Sequence, residues 1–471
     1  MTTSSQRRNG ILSLIFQSLQ GEERDYTKGS IRQAVILLAI PMMLEMVMES
    51  VFALVDLYFV GHLADSSSAI QVVGLTESVL TIMYSIAIGM SMAATAVVAR
   101  RIGEKDPEAA AHAGVQAIIV AGVVTVLLSG CGIVYAKELL LVMGASDDTA
   151  TKGKAFVQIM MGSGISIMLL FLINGIFRGA GNATIAMKSL WLANLCNIIL
   201  CPVFINGLGP VPAFGLTGAA LATATGRSIG VLYQLYHLFG NKHQLKVKMT
   251  HWKLDFPVIR SLVSIATPGI FQFVIASCSW IFLAQLVATS GGDVGSAGYQ
   301  TALRLVMFFL LPAWGLSNAA STLVGQNLGA KEYQRAEDSV LKTVKYNTVF
   351  MLGVTVIFYA LGGPLVSFFT NDPAIKAVAI DAMRIISAGF VFYGIGMVMI
   401  NAFNGAGDTW TPTYVNFVGF WLFQIPLAWF LTRYLAFGPH GVFIAVPVAE
   451  TAITVAGYIL FRKGRWKKVK V

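Results

Sequence analysis

Apolar runs long enough to cross a bilayer recur along nearly the whole chain, and in hydrocarbon only helices or closed barrels leave no backbone polar group unpaired. At about 20 residues per helical crossing, the runs fall at 34–62, 69–99, 111–136, 155–177, 184–206, 214–239, 259–289, 296–325, 340–369, 374–403, 410–435 and 440–461. Hydrophobic residues make up 56% of the chain and charged residues 12%. So apolar a chain could not cover its own surface in water. The expectation is an all-α membrane protein of twelve transmembrane helices.

The formal charge of +10 is scattered in short clusters between the runs. No long basic face is present, so the pattern points to anionic headgroups and excludes a nucleic-acid partner. With the N-terminus inside, the inner segments hold 25 Lys and Arg against 6 outside. That asymmetry predicts two cytoplasmic termini in a multi-pass plasma-membrane protein. Cys131, Cys196, Cys201 and Cys278 all lie in apolar segments, which argues against a disulfide framework. Arg7 and Arg8 precede a short apolar stretch, but no small-residue cleavage pattern follows, and a cleavable leader is not expected. Apolar residues at 11, 12, 15, 16 and 19 have helical spacing, which predicts a short amphipathic helix on the membrane surface.

The chain repeats itself at an offset of 226 or 227 residues. Val98-Ala-Arg-Arg-Ile-Gly103 echoes Val324-Gly-Gln-Asn-Leu-Gly329, Arg178-Gly-Ala-Gly181 matches Asn404-Gly-Ala-Gly407, and Ala39-Ile-Pro41 matches Ala266-Thr-Pro268. Six spans per half in equal orientation imply two pseudo-symmetric six-helix lobes around a central cleft. The segments are then an N-terminal stretch 1–33, lobes 34–240 and 259–462, a linker 241–258 and a basic tail 463–471. No Gly-x4-Gly-Lys-Ser/Thr run occurs, which leaves an ion gradient as the driving force of a transporter.

Charges inside spans cost about 2.5–3.5 kcal/mol on insertion scales, so each marks a candidate site. In the first half these are Glu45, Glu49, Asp56 and Glu77. At about 100° per residue, positions 45, 49 and 56 share one helix face within about 40°. Lipid would reject three carboxylates together, so this face is expected to look into the lobe or the cleft. Asp56, Glu77, Asn197 and Thr223 lie at a common depth of about 9–14 Å below the outer surface, at about 1.5 Å per residue. This makes an oxygen-rich pocket for a proton or Na⁺, or else a plain interhelical hydrogen-bond network. In the second half Arg304 and Glu450 share a depth and are expected to form a structural ion pair. The Met-rich runs suit packing and also surfaces that accept varied apolar ligands.

Together Pro41, Val55-Asp56-Leu-Tyr-Phe-Val-Gly61, Ala99-Arg-Arg-Ile-Gly103, Arg178-Gly-Ala-Gly181 and Leu323-Val-Gly-Gln-Asn-Leu-Gly-Ala330 resemble the multidrug and toxic compound extrusion (MATE) family over residues 30–465. The resemblance implies drug export in exchange for H⁺ or Na⁺ by rocking of two lobes. It also implies that Asp56 is the coupling carboxylate. Asn197 and Thr223 match the branch that resembles the DNA-damage-inducible members, with Asp56, Asn197 and Thr223 the set that would hold Na⁺. In that branch an Asp-Pro follows the Asn, whereas this chain reads Asn197-Ile-Ile-Leu-Cys201-Pro202. The neutral Cys201 removes one charge and makes Glu77, Glu49 and Glu45 candidates to replace it.

An acidic pocket with Met and aromatic lining predicts amphipathic, cationic organic substrates, and a monomer without a cofactor is expected. A lipid or lipid-linked sugar flippase of the same superfamily is the alternative transporter. A membrane-embedded enzyme is disfavoured, because neither His-Glu-x-x-His nor Gly-x-Ser-x-Gly is present.

Overall fold

The computed structural model describes residues 11–21, 24–61, 66–240 and 244–471. Expectations for 1–10 and 241–243 lie outside the described residues. Among the described residues the structure is helical apart from one isolated bridge between Leu208 and Val211. The first half runs α1 (Ile11–Gln20), α2 (Ile31–Gly61), α3 (Ser66–Gly103), α4 (Pro107–Val134), α5 (Ala136–Val142), α6 (Asp147–Gly162), α7 (Gly164–Gly179), α8 (Ala183–Asn206) and α9 (Leu216–Phe239). The second runs α10 (Phe256–Gly329), α11 (Tyr333–Ser367), α12 (Pro373–Ser387), α13 (Phe390–Ala406), α14 (Trp410–Asn416), α15 (Ile425–Trp429) and α16 (Pro439–Arg462).

Polar caps set many of the starts. Asp106, Ser146, Asn182, Asp255 and Asp372 each accept a hydrogen bond from a first-turn backbone N–H. Pro107 and Pro373 open their helices where a missing N–H costs nothing. Between α14 and α16 the ladder widens to π geometry at 417–424 and 430–434, around Pro426, whose ring supplies no donor.

Nine described helices are long and apolar enough to cross a membrane, or ten if α12 and α13, which meet at 54°, form one broken span. That count takes α10 as one helix. Yet α10 is interrupted at Gly292 (φ 58°, ψ −155°), a backbone conformation that glycine adopts without a Cβ clash. The break separates the two spans expected at 259–289 and 296–325.

The repeated sequences take the same local backbone. Lys105 and Lys331 both have positive φ, and the turns after Gly103 and Gly329 close with matching hydrogen bonds, Asp106 N to Arg101 O at 3.0 Å and Glu332 N to Asn327 O at 2.8 Å. Gly181 and Gly407 are likewise left-handed, at φ 88° and 84°. The halves meet through these segments. A Cβ on Gly103 would overlap the Gln326 carbonyl, and one on Gly329 would overlap that of Arg100, so the helices touch backbone to backbone. Gly89 against Ala266 and Gly315 against Met42 repeat the exchange further along.

Two large apolar cores form, one of first-half residues from Ala87 to Leu245 joined by Leu262, Ile265 and Ala266 of α10, and another between Leu283 and Val446. A mixed cluster in which Leu38 and Met42 pack with Leu316 and Leu323 joins them. The end bearing Gly103 and Gly329 is closed. Arg100 donates to the carbonyls of Ala406 and Val469 at 3.2 and 3.1 Å, and Gln326 donates to that of Gly179 at 3.0 Å. Arg335 holds the carbonyls of Tyr26, Lys28 and Gly29, which straps the segment before α2 across the seam.

Both ends of the chain are tied to the helical body. The N-terminal helix packs mainly on α2, with Leu14 and Ser18 its buried positions, and Thr184 of α8 donates to the Ser18 carbonyl at 2.7 Å. Phe16, expected on the same apolar face as Ile15 and Leu19, is exposed. The basic tail is also folded back, with Trp466 buried and stacked on Phe461 at 4.9 Å.

Candidate functional site

On the carboxylate face of α2, Glu45 and Glu49 turn inward and find different partners. Glu45 is buried; Asn174 donates to it at 3.0 Å and Arg178 lies 3.5 Å from the same oxygen. Asn174 in turn accepts from Ser189 and Gln234, and Arg178 also donates to Ser91 Oγ at 3.1 Å. The second oxygen of Glu45 has no hydrogen-bond partner. Glu45 is thus held in a buried ion pair with Arg178 inside the first half.

One turn on, Glu49 is half-buried and accepts from Asn194 Nδ2 at 3.1 Å. Asn194, Asn197 and Cys201 lie at i, i+3 and i+7 on α8, and all three are buried. Asn197 donates to Thr223 Oγ1 on α9 at 2.9 Å. Cys201 is fully buried within an apolar cluster that includes Ala219 and Ala222. The expected meeting of Asn197 with Thr223 is therefore present, and Glu49 is the carboxylate nearest along the same stripe. Asp56 lies on α2, but its side chain is outside the described residues. Glu77 is exposed on α3.

The expected ion pair between Arg304 and Glu450 is not formed. Arg304 is exposed, whereas Glu450 is buried against Ile386, Phe390, Tyr393 and Val446. The two share a depth but point to different sides of α10, and depth alone carries no information about rotation. Glu77 and Arg304, which are 227 residues apart, are both exposed. Lipid would reject both charges, so the opposing halves present an acid and a base to an aqueous space.

Two cations were not singled out from sequence. Arg178 was counted as an inner-loop charge; it lies in the last turn of α7 and is almost enclosed. Arg227, buried on α9 one turn after Thr223, sits 6.0 Å from the Phe52 ring and 5.4 Å from the Tyr84 ring. The signal for both was available, since a charge at membrane depth needs a partner. A pocket between the halves is lined by Met46, Ser91, Met92, Phe171, Arg178 and Trp314. The first half can thus hold a proton or small cation among Glu49, Asn194, Asn197 and Thr223, next to a mixed apolar and polar space.

The fold is shared with known transporters. The outward-facing structure of a multidrug resistance MATE family transporter of the MOP superfamily superposes with TM-score 0.89 at 24% identity, over 95% of this chain and 99% of that one. Among curated relatives, the probable multidrug resistance protein NorM of Thermotoga maritima is 24% identical over 441 residues, 93% of this chain and 94% of its own. The FAD transporter of Shewanella oneidensis is 25% identical over 419 residues, 88% of this chain and 90% of its own. The MatE family model matches residues 41–203 and again 268–430, the same 227-residue step as the internal repeat, and the chain belongs to the MatE family of membrane transporters, not to a family of enzymes.

Proposed function

We propose that this protein is a secondary active multidrug exporter that expels amphipathic organic cations in exchange for H⁺, with coupling through the N-terminal half. The observation that carries this reading is the placement of Glu49, Asn194, Asn197 and Thr223 on one buried stripe of the half that also bears Asp56. The names of the similar NorM and MepA proteins, both described as acting in multidrug resistance or export, support it. Splitting α10 at Gly292, joining α12 to α13 and admitting α9 supports twelve crossings in two lobes. With both termini in the cytoplasm, the sealed end around Gly103 and Gly329 is the inner one, and the cleft opens outward. The pairing of Asn197 with Thr223 also favours the branch resembling the DNA-damage-inducible members.

Asp56→Asn is the decisive variant. In proteoliposomes it should abolish gradient-driven export of a fluorescent organic cation while preserving the elution profile of the folded protein. Export at the wild-type rate would sink the coupling role.

A second reading, an anionic cargo, is favoured by exposed Arg304 and by the resemblance to a FAD transporter. Competition separates the two. Organic cations should displace the labelled cargo better than anions of equal hydrophobicity, and the reverse ranking would establish the second reading.

A further inference from the structure

Glu450 is 95% buried (5% exposed), and among the described residues no hydrogen bond or ion pair reaches its carboxyl. It lines a cavity with Trp280, Val306, Ile386, Phe390 and Tyr393 that is too small for an organic ligand. The cavity wall is drawn from three neighbouring helices besides α16. From α10 come Trp280, Val306 and Leu310, from α12 Ile386, and from α13 Phe390 and Tyr393. Tyr393 is the one titratable neighbour among them, and Arg304, on the same helix as Val306, is exposed instead.

A bare carboxylate in such surroundings would bear its desolvation cost with nothing to offset it. Something must neutralise it. Na⁺ would need several oxygen ligands, and the wall offers one carboxyl and one phenol among apolar side chains, whereas a proton needs only the carboxyl. The cavity also lies where α12 and α13 break at 54°. Gly389 at this break abuts Pro447, one turn before Glu450, and a Cβ there would fall 2.5 Å from the Pro447 ring. Residues from both sides of the break line the cavity, so movement at the bend changes its contact with water.

We propose that Glu450 is a proton-binding site of the C-terminal half, buried in this conformation and opened further to water by movement at the bend between α12 and α13. The O–H bond forms at a Glu450 oxygen with a proton taken from water on one side of the membrane. It breaks when the cavity meets water again, returning that proton to the solvent. The site is separate from the stripe of Glu49, Asn197 and Thr223 and stands whether or not export is proton-driven.

Infrared difference spectroscopy on the purified full chain in lipid, stepped from acidic to alkaline pH, tests this directly. Wild type should show a carboxylic-acid carbonyl band that disappears with rising pH, and Glu450→Gln should lose one carboxyl equivalent of it. Glu450→Asp keeps the acid and should retain a displaced, titrating band, which separates loss of the site from loss of the fold. Glu108→Gln, at an exposed surface acid, should leave the band unchanged. An identical titration in Glu450→Gln, or a Glu450 band of constant intensity across the range, would overturn the proposal. No gradient or cargo is used, so failure of the export reading and failure of this one are read separately.

Discussion

The two halves of the molecule share a backbone plan and fill it with different chemistry. Glu45 and Arg178 pair in the first half; their counterparts 227 and 226 residues on, Gln272 and Asn404, make a neutral amide pair at 3.1 and 3.3 Å. Asn174 and Ser91 correspond to Asn401 and Ser317, which bond each other at 2.8 Å. The scaffold thus needs a polar clasp at this place in both halves, and a charge only in one. The stripe of Asn197 and Thr223 differs in another way. Asn197 bonds Thr223, but the corresponding Gln424 accepts from Ser279 at 3.0 Å, a residue that replaces Phe52. Position 450, the counterpart of Thr223, is left without that partner and carries a carboxyl instead. Three exchanged side chains, Phe52 to Ser279, Asn197 to Gln424 and Thr223 to Glu450, therefore separate a hydrogen-bonded pair from an isolated acid.

The ion pair is the place to break this comparison. Arg178→Met should cost about 3–5 kcal/mol by leaving Glu45 buried and uncompensated. The matching change in the second half, Asn404→Leu, should cost about 1–3 kcal/mol, the penalty for an unsatisfied amide. Copying the second half into the first, Glu45→Gln with Arg178→Asn, should return stability to near wild type. Thermal unfolding in detergent ranks the three. A double variant as damaged as Arg178→Met would mean that the charge itself, not a satisfied clasp, is what this place requires.

Much of this plan was legible in the sequence. Each expected span has a helix at its place, and the repeated Gly103/Gly329 and Gly181/Gly407 turns are formed alike, because apolar length, caps and left-handed glycines are local properties. Partner choice was not legible. Arg304 and Glu450 agree in depth and differ in rotation, and Arg178 meets Glu45 from a helix end beyond the expected span. Both depend on how helices turn against each other, which the packing of the whole decides. The contact between Asn197 and Thr223 could be anticipated because both stand at one depth on consecutive helices joined by a short connection.

The next prediction sharpens the comparison at the stripe of Asn197 and Thr223, and its expected effect is a severalfold change in export. Cys201 is buried one turn from Asn197, where a carboxylate would add charge to the first half. A neutral thiol leaves fewer charges to compensate a dehydrated Na⁺, whereas a proton needs one desolvated carboxyl. Without a proton gradient, an inward Na⁺ gradient should drive little export by wild type and severalfold more by Cys201→Asp. Robust Na⁺-driven export by wild type, lost in Glu77→Gln, would mean that Glu77 already supplies the charge.

The smallest effect is expected at the repeated turn after α3. Lys105 reaches Asp25 at 2.8 Å and so ties the segment before α2 to this turn; its counterpart Lys331 has no ion pair among the described residues. Burial pushes the Asp25 carboxyl up, but the hydrogen bonds from Lys105 and Thr27 outweigh it and hold the group at about 2. A depressed carboxylate stabilises the fold above its unfolded value, near 3.9, and that stabilisation is lost as pH falls through about 2. Both partners are substantially solvent-exposed, so the contribution is at most about 1 kcal/mol after screening. Lys105→Ala should therefore lower the thermal midpoint slightly at neutral pH and by a shrinking margin below about pH 4, where Asp25 in the unfolded chain also protonates. Raised salt should narrow the difference as well. Lys331→Ala, at the same turn without the acid, should match wild type under all these conditions. An equal loss in both variants would assign the effect to the lysine side chain at the left-handed turn, common to both halves, and not to the ion pair.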